Sequence, residues 1–256
     1  MIGIIGIGNM GRAIALGIRK KVLVSDNDRK KLHFKKKSGI VACRDNVELA
    51  KRSEIIILAV KPQAISEVLP QIKPYTKDKL IISIAAGIRT VLIEKILGRA
   101  RVVRIMPNMP AVVGKGISAI APGRFAGKKD IKLTREIFSN LGEVVLLKEA
   151  HMDAVTALSG SGPAYYFLFT DILSRSGKAI GLSRRVAEKL AVATFIGASG
   201  AASCADISMK DFVKKVASKG GTTEAALKVF KQKGLEDIVK CAVIAARDRS
   251  RDLASG

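Results

Sequence analysis

The sequence predicts an α/β fold in residues 1–149 and an all-helical fold in residues 150–256, on the strength of two observations. Up to Leu147, short β-branched or Leu-rich segments alternate with longer polar ones, a pattern typical of βαβ units that build a largely parallel sheet. After Glu149 the alternation stops, and Ala-rich helical periodicity continues to Ala246. This change in pattern predicts the domain boundary.

The predicted strands are apolar along their length, as expected for a sheet with helices on both faces. They occupy residues 2–6, 21–25, 40–42, 54–59, 80–84, 101–105, 116–121 and 144–147. The helices predicted between them occupy residues 10–19, 29–37, 46–52, 63–71, 90–97 and 128–141. In the second domain, helices are predicted at residues 151–157, 163–179, 183–204, 209–216, 222–233 and 235–249, with glycine-containing breaks between them.

The composition is that of an ordinary globular protein, with 48% hydrophobic and 26% charged side chains among 256 residues. Cys43, Cys204 and Cys241 are far apart and the chain has two histidines, so we expect neither a disulfide framework nor a metal site. We find no segment long and apolar enough to span a membrane and no signal-peptide pattern. We therefore expect a cytoplasmic protein with no membrane partner.

The formal net charge is +23, and most of the excess lies in residues 1–149, which hold 29 basic and 12 acidic side chains. The densest basic run is Lys35, Lys36 and Lys37. Because no nucleic-acid recognition motif accompanies this run, we interpret it as a solvated helix face and expect no specific nucleic-acid partner. A basic nucleic-acid-associated protein remains a distant alternative.

Residues 6–11 form the pattern GxGxxG directly after the first predicted strand, and they open the first predicted helix. In this context the backbone can approach a pyrophosphate and present amide groups at a helix N-terminus. The pattern predicts a Rossmann-like dinucleotide-binding domain. The candidate cofactor-binding residues are Gly6, Ile7, Gly8, Asn9, Met10 and Gly11.

The end of the second predicted strand bears on the choice of dinucleotide. An acidic side chain there binds the ribose diol of NAD, whereas basic or hydroxyl groups bind the 2'-phosphate of NADP. Asp26 lies near the acidic position, while Ser25, Asn27, Arg29 and Lys30 supply donors and positive charge around it. These surrounding groups favour NADPH over NADH, while Asp26 keeps NADH as an alternative cofactor.

Three further strand ends point to the same crevice, where a doubly wound sheet binds its ligand. The residues after the fourth and fifth predicted strands are Ala59, Val60, Lys61 and Pro62, and Ala85, Ala86 and Gly87. Asn108 follows the sixth strand and lies between two prolines that stiffen its loop. Each of these segments also fits an ordinary connection between a strand and a helix.

In the helical domain, residues 216–223 join two predicted helices through glycines and hydroxyl side chains. The Gly220-Gly221 turn leads into a helix, so free amide groups there can hold a carboxylate. Thr222 or Thr223 could instead be a simple helix cap.

The sequence resembles the pyrroline-5-carboxylate reductase family from the opening GIGNMG to the final helix. The most specific matches are ALSGSGPAY at residues 157–165 and VASKGGTTEAAL at residues 216–227. AVKP at residues 59–62, SIAAGI at 83–88 and RIMPNMP at 104–110 support them. The resemblance implies a helical dimerisation domain, a homodimer that can build larger assemblies, and NAD(P)H-dependent reduction of 1-pyrroline-5-carboxylate to L-proline.

The resemblance also implies site residues. It adds Asn46 to the cofactor site and places Asn108 near the nicotinamide. The implied substrate-binding residues are Asp206, Ser218, Gly220, Gly221, Thr222 and Thr223. Thr223 is the candidate catalytic residue: because its hydroxyl is too weak an acid to donate a proton outright, we expect it to position and polarise the imine nitrogen.

Three departures from the family pattern affect the substrate residues: Lys219 replaces a common proline, Asp206 is shorter than the familiar glutamate, and Lys214 stands where an acidic residue is common. A reductase of another cyclic imine is therefore an alternative. A β-hydroxyacid dehydrogenase is a second one, although its GxxGxxxKxxxN arrangement is not found in the sequence.

Overall fold

The computed structural model describes residues 1–18, 20–34 and 39–255, without the side chains of Ala254 and Ser255. The basic run at residues 35–37 and the end of the helix predicted at residues 10–19 lie outside the described residues. The chain divides into two compact units, one formed by Met1–Ser161 with Ala245–Gly256 and the other by Gly162–Ile244. The domain boundary expected at residue 149 stays a prediction.

The first unit contains one eight-stranded sheet with the strand order β3-β2-β1-β4-β5-β6-β7-β8. The strands are β1 (Ile2–Ile5), β2 (Val22–Ser25), β3 (Ile40–Ala42), β4 (Ile55–Leu58), β5 (Leu80–Ser83), β6 (Arg101–Met106), β7 (Gly116–Pro122) and β8 (Gly142–Leu146). All neighbouring pairs are parallel except β6 and β7, which are antiparallel. Each predicted strand is present, with ends that differ by at most two residues.

The described residues of the first unit form six α-helices before the second unit begins. They are α1 (Asn9–Gly17), α2 (Asn46–Arg52), α3 (Ile65–Ile72), α4 (Thr90–Leu97), α5 (Lys128–Phe138) and α6 (Met152–Val155). The predicted bounds of α2 and α4 are confirmed to the residue. At α2 the reason is local: the Asp45 carboxylate accepts a 2.7 Å bond from the Glu48 amide, which caps the helix and lowers the pKa of Asp45.

Several helix predictions are wrong in detail, including that of the final helix, which was expected at residues 235–249 and continues to Ser255. The described part of the α-helix expected at residues 29–37 contains only a short 3-10 helix, Arg29–Leu32, because the backbone becomes extended at His33, with φ −79° and ψ 111°. The helix expected at residues 151–157 is a 3-10 turn, α6 and then a π-helical turn, Thr156–Gly160.

The core of the first unit lies on both faces of the sheet. On one face, alternate residues such as Ile4, Val24 and Ile57 pack against Ile14 of α1 and Phe138 of α5. On the other face, the intervening residues pack with buried side chains of α2, α3 and α4, among them Leu49, Leu69 and Ile93. Helices pack on both faces of the central strands. The carboxyl ends of these strands are therefore held in fixed positions.

The second unit is helical. It contains α7 (Gly162–Ala179), α8 (Arg184–Cys204), α9 (Met209–Val216), α10 (Thr222–Gln232) and the first part of α11 (Leu235–Ser255). Ser183 and Ser208 cap α8 and α9 by accepting amide bonds. Large apolar side chains are exposed along α7 and α8, including Tyr166 at 63%, Leu168 at 58% and Ile196 at 62%.

A buried ionic network ties the sheet to the segments that follow it within the first unit. The side chain of Arg104, in β6, is 4% exposed and lies 3.5 Å from Glu149 Oε1 and 4.0 Å from Asp153 Oδ1. Glu149 accepts bonds from the amide and hydroxyl of Thr90, and Asp153 accepts one from the Ser250 hydroxyl. Burial lowers the pKa of Arg104, and the two carboxylates oppose that shift.

We expect Arg104→Met to lower the free energy of unfolding by about 2 kcal/mol, because it leaves two partly buried carboxylates without their cation. Urea titration at fixed protein concentration would measure the change. Lys95→Met, which removes an exposed cation from α4, is the matched control and should change stability by less than about 0.5 kcal/mol. Equal changes in the two variants would contradict a structural role for the Arg104 network.

Candidate functional site

The glycine-rich turn after β1 packs closely against the end of β4. Gly6 has φ +95°, and a Cβ placed there would lie 2.7 Å from the carbonyl carbon and oxygen of Ala59. A Cβ at Gly11 would overlap the Gly6 carbonyl oxygen. Gly8 differs, because no described atom lies within 4 Å of a Cβ built on it. Two glycines therefore allow close packing, and Gly8 leaves open space at the N-terminus of α1.

This open space suits a phosphate group. Gly8 is the N-cap of α1 and supplies no side-chain cap. The first amides of a helix have no acceptor within the helix, and its N-terminus carries partial positive charge. The turn therefore fits the pyrophosphate of a dinucleotide.

A cavity of about 240 Å³ lies beside this turn, at the carboxyl ends of β1, β2 and β4. In a doubly wound sheet, ligands bind where the strand order reverses, which here is between β1 and β4. The candidate cofactor residues that line the cavity are Gly6, Gly8, Asp26, Asn27, Asn46, Ala59, Val60 and Lys61. Sequence reasoning missed five others, namely Ile5, Lys31, Ala64, Glu67 and Val68.

Asp26 is joined to the glycine-rich turn by a hydrogen bond. Its Oδ2 accepts a 2.6 Å bond from the Ile7 amide, and its Oδ1 accepts a 2.8 Å bond from the Asp28 amide. The Lys31 ammonium lies 3.5 Å from Oδ1. The Asp26 side chain is 11% exposed, so the carboxylate is held in one place at the end of β2.

Ser25 and Asn46 form a buried hydrogen-bonded pair at the edge of the cavity. The Ser25 hydroxyl donates a 2.8 Å bond to Asn46 Oδ1, and Asn46 Nδ2 donates a 3.0 Å bond to Gln71 Oε1. Ser25 is 2% exposed. Its hydroxyl therefore orients Asn46, which lines the cavity.

Other predicted cofactor residues are not among the described residues that line this cavity. They are Ile7, Asn9, Met10, Gly11, Ser25, Arg29, Pro62, Ala85, Ala86, Gly87 and Asn108. The Arg29 guanidinium lies 3.5 Å from the Arg44 carbonyl oxygen. The Asn108 Oδ1 accepts a 2.9 Å bond from the Ile117 amide at the start of β7, which fixes the loop between the two prolines. A role for these residues toward a cofactor stays a prediction.

In the second unit, the predicted substrate loop connects α9 to α10. Gly220 has φ +72°, and Gly221 is the N-cap of α10. The Gly221 amide donates to the Ser218 carbonyl at 3.0 Å, and the Gly220 amide donates to Glu224 Oε2 at 2.7 Å. Both glycine amides are thus already bonded, which corrects the expectation that the Gly221 amide is free.

The amides of Thr222 and Thr223 are the first of α10 and have no acceptor within the helix. They remain the candidates to hold a carboxylate. Asp206 is exposed in the segment between α8 and α9. Sequence reasoning missed Glu224, whose place in the TTE triplet at the helix N-terminus was the available signal.

Among the described residues, no group of three or more His, Cys, Asp or Glu side chains could hold a metal ion. Of the helices in the described part of the chain, none is long and apolar enough to cross a bilayer.

Comparison with protein families gives two matches. The family described as pyrroline-5-carboxylate reductase dimerisation matches residues 149–253. The family described as NADP oxidoreductase, coenzyme F420-dependent, matches residues 1–87. The dehydrogenase alternative gains no support from either match.

Comparison with individual proteins covers nearly the full chain. A pyrroline-5-carboxylate reductase of Methanosarcina acetivorans is 38% identical, over 98% of this chain and 97% of that protein. The reductase of Pisum sativum is 34% identical, over 99% of this chain and 96% of that protein.

Solved structures agree. The reductase of Coxiella burnetii matches with a TM-score of 0.92 and 35% identity, covering 99% of this chain and 98% of that one. The reductase of Plasmodium falciparum, solved with NADP bound, matches with a TM-score of 0.88 and 32% identity, covering 99% and 97%. Because identity of 34% or more extends over nearly all of the chain, the protein belongs to the pyrroline-5-carboxylate reductase family.

Proposed function

We propose that the protein reduces 1-pyrroline-5-carboxylate to L-proline with NAD(P)H as the reductant. The observation that carries the proposal is the open glycine-rich turn at Gly8, at the strand ends where a doubly wound sheet binds a dinucleotide. Membership of the reductase family supports the choice of substrate. When bound, the reduced nicotinamide supplies the hydride that the imine carbon accepts.

In this proposal the first unit binds the cofactor. The turn at residues 6–11 and the N-terminus of α1 hold the pyrophosphate through backbone amides. Asp26 and Asn27 lie at the ribose end of the cavity, and Val60 and Lys61 line its other side. Ala85, Ala86, Gly87 and Asn108 complete the site toward the nicotinamide.

The second unit binds the substrate in this proposal. The first amides of α10, at Thr222 and Thr223, hold the substrate carboxylate, helped by the positive end of the helix. Glu224 keeps the Gly220 turn in the shape that presents these amides. Asp206 and Ser218 contribute further polar groups.

Thr223 is the proposed catalytic residue. Its hydroxyl orients and polarises the imine nitrogen, and the proton that this nitrogen gains comes from solvent or a bound water molecule. One hydride and one proton convert the C=N bond to the C–N bond of proline, so the reaction balances.

We further propose a homodimer through the helical unit. The support is the family match over residues 149–253 and the exposed apolar side chains of α7 and α8, which a single chain leaves in water. Larger assemblies of such dimers and a cytoplasmic location stay predictions. The dimer would be measured by light scattering of the purified protein.

The reaction is tested by following oxidation of NADPH and of NADH with and without 1-pyrroline-5-carboxylate, and by identifying the product. We expect oxidation that depends on the imine and yields L-proline. Cofactor binding without imine-dependent oxidation would contradict the substrate assignment and leave the cofactor site intact.

We expect Gly8→Ala to weaken NADPH binding by about tenfold or more without lowering the melting temperature, because its Cβ occupies only the space proposed for the phosphates. Gly11→Ala is the matched control: its Cβ overlaps the Gly6 carbonyl, so it should lower the melting temperature. NADPH titration and thermal melting measure the two effects. Normal NADPH affinity in Gly8→Ala would remove the turn from the cofactor site.

We expect Thr223→Ala to lower kcat by about tenfold, the value of one hydrogen bond to a reacting group, with an unchanged dissociation constant for NADPH. Thr223→Ser keeps the hydroxyl and should retain most of the activity. Steady-state kinetics and NADPH titration measure the two quantities. Equal kcat in the alanine and serine variants would exclude the hydroxyl from the mechanism.

A further inference from the structure

The ribose end of the cofactor cavity contains a lysine that the sequence pattern did not single out. Lys31 lies in the 3-10 helix Arg29–Leu32 after β2, and it lines the same cavity as Gly6, Gly8 and Asp26. Its ammonium is 3.5 Å from Asp26 Oδ1 and 3.9 Å from Asp28 Oδ2. Its side chain is 46% exposed, so a ligand in the cavity can reach the ammonium.

Asp26 alone would select against a 2'-phosphate. An acidic side chain at the end of the second strand accepts hydrogen bonds from the ribose hydroxyls, and it repels a phosphate in place of the 2'-hydroxyl. Its bond from the Ile7 amide fixes the carboxylate beside the glycine-rich turn, so it cannot easily rotate away from this position. Asp28 adds a second negative charge nearby.

The backbone at Lys31 is held by a residue of α1, the helix that follows the glycine-rich turn. Arg12, in the first turn of α1, places its Nη1 3.4 Å from the Lys31 carbonyl oxygen and its Nη2 3.4 Å from that of His33. The Arg12 guanidinium also lies 4.5 Å from the centre of the Phe34 ring. The backbone that carries Lys31 is thereby tied to the helix proposed to hold the pyrophosphate.

Two other groups of the β2 end are bonded elsewhere, and Asn27, which also lines the cavity, is a neutral donor without a cation's charge. The Arg29 guanidinium lies against the Arg44 carbonyl, and the Ser25 hydroxyl donates to Asn46. Among the described residues that line the cavity, the cations are Lys31 and Lys61, and Lys61 follows β4 rather than β2. Lys31 is thus the cation beside Asp26.

We propose that Lys31 is the residue that admits the 2'-phosphate of NADPH and so determines cofactor specificity. The Asp26 carboxylate binds the ribose diol of NADH, and the Lys31 ammonium pairs with the 2'-phosphate of NADPH in preference to Asp26 and Asp28. The two side chains together let one site accept both cofactors. This inference rests on the proposed cofactor site but not on the identity of the imine.

The test is titration of NADPH and of NADH, followed by their own fluorescence, into wild-type protein and into Lys31→Met. Methionine keeps the length of the side chain and removes its charge. We expect the dissociation constant of NADPH to rise about tenfold, equivalent to about 1.4 kcal/mol, and that of NADH to change less than about twofold. Lys31→Arg should keep the NADPH affinity of the wild type.

Lys129→Met is the matched control, because it removes an exposed cation from α5 without touching the cavity. It should leave both dissociation constants unchanged, which separates a local contact from the effect of net charge. An unchanged NADPH affinity in Lys31→Met would overturn the proposal, and so would equal weakening of both cofactors. Wild-type protein that binds NADPH but forms no proline would overturn the proposed function alone.

Discussion

The close approach of the β1 turn to the end of β4 is the contact on which the cofactor site depends. Gly6 lies against the Ala59 backbone, and the Gly6 carbonyl lies against Gly11 at the start of α1. Because neither position has room for a side chain, the turn is tight and α1 begins directly beside the sheet. This packing places the N-terminus of α1, whose first amides have no acceptor within the helix, at the mouth of the cavity.

Around that turn, the polar side chains are fixed by bonds to the backbone and to one another. Asp26 is bonded to the Ile7 amide, and Asn46 is held between Ser25 and Gln71. A site whose side chains are already held loses less conformational entropy when it binds a ligand. In the second unit, Glu224 holds the Gly220 turn in the same way, through a single carboxylate-to-amide bond.

Elements defined by local signals were predicted well from the sequence. The bounds of α2 and α4 were confirmed to the residue, and at α2 the start is set by the Asp45 side chain itself. The helix predicted from residue 29 failed because helical periodicity did not reveal that the backbone becomes extended at His33, after a single 3-10 turn. The π-helical turn at Thr156–Gly160 likewise has no distinct sequence pattern, since it differs from an α-helix only in which carbonyl each amide reaches.

The sequence by itself determined the fold class, the family and the position of the phosphate-binding turn, because the glycines of residues 6–11 are required by backbone geometry that any such turn shares. Only the tertiary structure decided which side chains meet at the ribose end. Position along the chain pointed to Arg29 and Lys30, whereas the fold turns Arg29 toward Arg44 and brings Lys31 beside Asp26. Likewise, the Gly220-Gly221 turn predicted free amides, whereas in the folded chain the Gly221 amide donates to the Ser218 carbonyl oxygen. Side-chain direction in a short 3-10 turn depends on what packs beside it, and that information lies in residues distant in the sequence.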